Sequence, residues 1–173
     1  MGIPTHAMEY TGGSALAMGS GAGWLQFFGP LNMLGKNGNW YVIFFALPDG
    51  VSYDQMRAEK ICATEYVQAG GTAEKMAVEI RKLGGEQWGA KWVRYGIGHP
   101  HDGVAPVDVP LELPNGTEWI SAPEVFAAGE AAQIFISYYK TGAIPNEYVL
   151  RPIEGYDADG RLIDLRGVTS IDH

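Results

Sequence analysis

The sequence has one cysteine, Cys62, in 173 residues, so no intramolecular disulfide can form and nothing points to an oxidising compartment. It also lacks long apolar runs, none approaching the roughly 20 residues that span a bilayer. No basic residue precedes Lys36, which leaves the start without the charged flank of a secretory signal. A cytoplasmic protein that neither crosses nor enters a membrane is expected. Low-complexity tracts and charge blocks are missing too, and 46% hydrophobic with 18% charged residues is globular usage. A chain of this length suits one domain whose core needs no staple. Cys62, beside Ile61 and Ala63 in a helix-like stretch, is expected to be a small buried apolar side chain.

Positive charge is scarce. Twelve Lys and Arg face twenty Asp and Glu, for a net charge of −8. From Gln87 onward there are 12 acidic against 6 basic side chains, compared with 8 and 6 before it. Nucleic-acid binding depends on Lys and Arg neutralising phosphates, so direct contact with nucleic acid is disfavoured. A basic protein partner would instead be attracted and steered in.

Motifs for catalysis are sparse. The glycines at 19, 21 and 23 lack the Gly-Lys-Ser/Thr of a Walker loop and the preceding strand of a Rossmann turn. No Gly-x-Ser-x-Gly elbow is present. Asp157 and Asp159 flank a loop far shorter than an EF-hand and ending in Gly160, which reads as a turn. The loop His99-Pro100-His101-Asp102 offers two imidazoles and a carboxylate that could coordinate a transition metal. A cupin-type site also needs a glutamate soon after its histidines, and here Glu112 follows His101 by eleven residues. The remaining histidines, His6 and His173, lie near the termini. No metal and no cofactor are expected, and the alternative is a small metal-dependent or otherwise unrecognised enzyme using His99, His101 and Asp102.

What is present is a string of secondary-structure signals. Residues 1–39 are glycine-rich, and the reading is a mobile start to about residue 23 followed by a short strand over Trp24–Phe28. Trp40–Leu47 is aromatic and β-branched and predicts a central strand. Helices are predicted over Ser52–Gln68 and over Thr72–Leu83, where Met76, Ile80 and Leu83 recur at helical spacing. Trp88–Gly96 predicts a strand, and Val107–Leu113 with Thr117–Ile120 predicts a hairpin about Asn115-Gly116, its Pro110 marking an edge. Ser121-Ala122-Pro123-Glu124 reads as a capping box opening a long helix to Thr141-Gly142. A terminal hairpin spans Tyr148–Ile153 and Arg161–Leu165. With no internal repeat or linker, the expectation is one α+β domain with a largely antiparallel sheet and three helices packed mainly on one face.

Leu113 to Ile153 resembles the C-terminal signature of the first-numbered immunity-protein family of bacterial polymorphic toxin systems. The resemblance lies in Pro114-Asn115-Gly116-Thr117-Glu118-Trp119-Ile120, in Val125, Ala128 and Ala131-Ala132, and in Tyr138-Tyr139-Lys140-Thr141-Gly142-Ala143-Ile144-Pro145 leading into a strand. It covers about a quarter of the chain. The resemblance implies a small α+β protein that binds and blocks a cognate toxin domain, often a deaminase or another enzyme acting on nucleotides or nucleic acids, without cofactor or turnover. Joined to the charge surplus, it makes Glu112, Glu118, Trp119, Glu147, Glu154, Tyr156, Asp157 and Asp159 the expected contacts of a basic toxin, met as monomer or dimer. A homo-oligomeric structural protein is the further alternative, because Trp and Tyr favour interfaces.

Overall fold

In the computed structural model, which describes residues 2–168, the glycine-rich start holds a hairpin of β1 (His6–Tyr10) and β2 (Ala15–Met18). Gly12 and Gly13 turn the chain at φ of 88° and 84°, left-handed values that glycine takes without a Cβ penalty. Beyond β2 the Tyr139 hydroxyl donates to the Gly19 carbonyl at 2.7 Å and accepts from the Ala22 amide at 3.3 Å. His173 lies outside the described residues.

Three predicted elements differ from the structure. Trp24–Phe28 opens helix α1 (Trp24–Asn32) rather than forming a strand. The Gln26 side chain accepts from the Gly23 amide at 2.9 Å, and Phe27 and Leu31, four apart, are both fully buried, so helical spacing overrides the run of aromatics. After strand β3 (Tyr41–Ala46), the helix expected over Ser52–Gln68 divides into the short α2 (Tyr53–Ala58) and strand β4 (Tyr66–Gly71). Ser52 Oγ caps α2 by accepting from the Gln55 amide at 3.1 Å, and Lys60 follows at φ 55°. Cys62 falls in the loop between them and is exposed, not buried. The helix expected over Thr72–Leu83 is strand β5 (Met76–Leu83). Met76, Val78 and Ile80 join the main core while Ala77 and Glu79 face the other way. Residues four apart share a face in a strand as in a helix, so Met76 and Ile80 did not discriminate.

The remaining elements follow the expectation: β6 (Trp92–Gly98), β7 (Val109–Leu113), β8 (Gly116–Ile120), α3 (Ala128–Thr141), β9 (Val149–Tyr156) and β10 (Leu162–Asp164). Gly142 closes α3 in the left-handed region at φ 71°. The capping box forms, but on a 3-10 turn over Ala122–Glu124. The α-helix starts only at Ala128, and its N-cap Ala127 offers no side-chain bond.

Eight antiparallel strands run β10-β9-β6-β5-β4-β3-β1-β2, with β7–β8 as a separate two-stranded sheet, giving an α+β domain. Strand β9 lies inside the sheet although it carries the buried Pro152, which sits where the register with β6 shifts between Arg94 and Tyr95. A bulge spares the ladder the missing amide. Helices α1 and α3 cover one face, with Phe27, Phe135 and Ile134 in one core with Phe44, Val67 and Val78. The opposite face is only partly covered. Helix α2 packs Met56 toward Ala7 and Phe45, and the β7–β8 hairpin lays Leu111 and Ile120 against Ala77. Among the described residues no helix is long and apolar enough to cross a membrane.

Candidate binding cleft

Where the hairpin overhangs the open face, a cavity of about 440 Å³ lies between Leu111 and Leu113 above and Ile43, Gln68 and Glu79 below. Its floor comes from the alternation of β3, β4, β5 and β6, which sets Ile43 opposite Gln68, Gln68 opposite Glu79 and Arg81 opposite Arg94. Arg94 Nη1 donates to Glu79 Oε2 at 2.5 Å and Nη2 lies 2.9 Å from Glu154 Oε2, with all three side chains at most 15% exposed. Gln68 Nε2 donates to the same Glu79 oxygen at 2.5 Å. Glu154 is held further by the Tyr156 hydroxyl at 2.8 Å and by Arg166 Nη2 at 3.0 Å.

The electrostatics follow from this geometry. Burial by itself would lower the pKa of Arg94, but the attraction and hydrogen bonds of Glu79 and Glu154 outweigh it and raise the value. Burial would raise Glu154, and the Tyr156 hydroxyl with the two guanidinium groups brings it below the usual carboxylate range. Tyr156 moves up, first by burial and then because its proton is held by Glu154. Arg81 joins no ion pair among the described residues. Its guanidinium carbon sits 4.1 Å from the Tyr156 ring centroid, with Trp92 and Tyr66 at 5.7 and 5.9 Å, a cation held on ring faces.

The expected contact residues fall into four places. Glu118, Glu154 and Tyr156 belong to the open-face network, Glu118 lying 4.0 Å from Arg166 and bordering the cavity. Glu112 and Trp119 point to the outer side of the hairpin, where Trp119 is 54% exposed and both Glu112 oxygens accept from the Thr117 hydroxyl. Asp157 builds the β9–β10 turn, its Oδ1 accepting from the Asp159 and Arg161 amides at 2.9 and 2.8 Å. Asp159 is exposed in that turn, and Glu147 is exposed in the loop after α3.

The histidine loop does not come together as a donor set. His99 Nδ1 lies 2.6 Å from the Pro123 carbonyl and Nε2 lies 2.6 Å from Glu130, so both nitrogens face acceptors. The ring stacks on Phe126 at 4.4 Å, and Tyr148 donates to the other Glu130 oxygen at 3.1 Å. Burial would lower the His99 pKa, but the Glu130 hydrogen bond and the Pro123 carbonyl outweigh it and raise the value. Asp102 is exposed, and His101 Nδ1 is buried without a partner among the described residues. Among the described residues no three His, Cys, Asp or Glu side chains gather to hold a metal ion.

Sequence reasoning missed Gln68, Glu79 and Arg94. Their signal was present, since Glu79 interrupts an apolar run and Arg94 alternates with Val93 and Tyr95, but it becomes legible only once residues 76–83 are read as a strand. It also missed the ion pair of Glu124 with Arg151, whose Nε and Nη2 reach Oε1 at 3.1 and 2.9 Å. No protein-family model, curated protein or solved structure matches this chain.

Proposed function

We propose that this protein is an immunity protein that captures a basic toxin domain on the hairpin side of its sheet. The observation that carries the reading is the placement of the family-like segment. Pro114–Ile120 forms the turn and second strand of the hairpin that roofs the cleft and presents Glu118 inward and an exposed Trp119 outward. A large exposed aromatic ring beside carboxylates is the composition of an interface anchor with a charged surround.

The test is binding of the product of the adjacent open reading frame, followed by surface plasmon resonance on two variants. Glu112→Lys is expected to slow association and to lessen its salt dependence, whereas Trp119→Ala is expected to speed dissociation. Asp157→Lys is a poor probe because it removes the acceptor that closes the β9–β10 turn. Failure of the neighbouring product to bind would refute the immunity reading. Salt-independent association would refute the electrostatic part.

One observation favours self-association as a second reading. Strand β2 is a sheet edge whose Ala15, Leu16 and Ala17 are exposed, and no charged residue stands between Glu9 and Lys36. Natural edges are usually blunted by charge, as β10 is by Asp164 with Arg166 just beyond it. A mass that rises with concentration in light scattering, and falls back in Leu16→Lys, would support this reading.

A further inference from the structure

We propose that the cavity under the hairpin is a receptor for a guanidinium group, filled in the complex by one arginine side chain of the partner. The inference rests on the immunity reading only for the source of that arginine. Glu79 is the central observation: its side chain is 10% exposed and borders the cavity. Both Gln68 and Arg94 donate to its Oε2, while among the described residues nothing donates to Oε1. That second oxygen is not sealed off from solvent, so it stands as an acceptor open to a donor that enters the space it borders.

The roof supplies a second acceptor. Glu118 descends from β8 into the cavity lining, and among the described residues its only ion pair is the 4.0 Å contact with Arg166. Of the charged side chains that line the cavity, Glu79 and Glu118 face Arg94, which leaves one carboxylate over. An anion is therefore repelled and a cation is drawn in.

The walls choose between cations. Leu111, Leu113, Ile43, Trp40 and Tyr41 make them apolar and aromatic. An ammonium is strongly hydrated and loses much by entering such a space, whereas a guanidinium is weakly hydrated, lies flat on rings and offers paired donors to carboxylates. With Glu79 below and Glu118 above, a planar group with donors on two edges meets an acceptor on each side.

The test uses the free protein and small probes: N-methylguanidinium, n-butylammonium and the neutral N-methylurea, titrated in the millimolar range and followed by amide NMR. The guanidinium is expected to shift Gln68, Gly70 and Glu118 saturably, the ammonium several-fold more weakly and the urea not at all. Glu118→Gln should weaken the guanidinium response several-fold with an unchanged melting temperature, which avoids disturbing the Glu79 network. No saturable response, an equal response to the urea, or a response that Glu118→Gln leaves untouched would overturn the proposal. Guanidinium binding by a protein that ignores its neighbouring gene product would sink the immunity reading alone. A bound partner whose affinity is indifferent to Glu118→Gln would sink the arginine receptor alone.

Discussion

Replacing Arg94 with methionine tests the polar network most directly. Arg94 is 13% exposed and serves two carboxylates, Glu79 and Glu154. When it is lost, Glu154 retains Arg166 at 3.0 Å and Tyr156 at 2.8 Å, whereas among the described residues Glu79 retains only the Gln68 amide. Removing one partner of a buried pair strands the other charge and costs about 3–5 kcal/mol. A domain stable by about 10 kcal/mol, the middle of the usual range, keeps its fold at 25 °C after such a loss. Glu79→Gln should cost less, about 1–3 kcal/mol, because Arg94 keeps Glu154. The double variant should be more stable than Arg94→Met alone, since the stranded carboxylate is gone. Urea unfolding at neutral pH, followed by tryptophan fluorescence, gives the four stabilities of the cycle. A loss below about 1 kcal/mol for Arg94→Met, or strict additivity in the double variant, would refute the buried-pair reasoning.

Two further outcomes are expected. Ser121→Ala should cost about 1 kcal/mol in urea unfolding with unchanged helical circular dichroism, because the serine serves the Ala122–Glu124 turn and the Glu124 carboxylate rather than the first turn of α3. A full loss of α3 signal would mean that the box nucleates the helix after all. His99 and His6 should act oppositely with pH. The raised pKa of His99 gives a stability contribution that is complete below its ordinary value of 6.5 and is lost as pH rises through the folded value. Burial lowers His6, so its contribution is present above 6.5 and is lost as pH falls. Thermal melts of His99→Gln against the parent should differ most near about pH 6 and converge on the alkaline side. A constant gap would show that His99 acts through packing on Phe126 alone.

Elements with local chemistry were readable from sequence, and elements defined by distant pairing were not. Asn115-Gly116, the Asp157–Gly160 turn and Gly142 after α3 each carry their own instruction, and the structure places Gly116, Gly160 and Gly142 at φ of 132°, 81° and 71°. Tyr41–Ala46 is long, aromatic and β-branched, and only a strand suits it. Strand β5 had no such mark. Its apolar residues at 76, 78 and 80 sit among Glu79, Arg81 and Lys82, which looks like the polar stripe of a helix until β6 and β9 bring Arg94 and Glu154 to the same face. The cleft was hidden for the same reason, because its floor comes from four strands whose register no local pattern announces. Helix α1 was legible in principle: Gln26 stands three residues after Gly23, and Phe27 and Leu31 are four apart.

The acidic excess after Gln87 has a narrower meaning than its size suggests. Glu124 is bound to Arg151, Glu130 to His99, Glu154 to Arg94 and Arg166, and Asp157 to two backbone amides. These charges hold the molecule together and project little field toward a partner, because each lies against a cation or a donor of its own. The carboxylates left facing outward include Glu112 on the hairpin and Glu147 after α3, while Glu118 faces the cleft. Glu112 shares the outer side of the hairpin with Trp119, and Glu147 lies away from both. Steering should therefore depend on position rather than on total charge: Glu112→Lys and Glu147→Lys alter net charge equally, yet the first is expected to slow association far more than the second. Equal effects in stopped-flow association would mean that the whole molecule's charge draws the partner and that the hairpin has no special part in it.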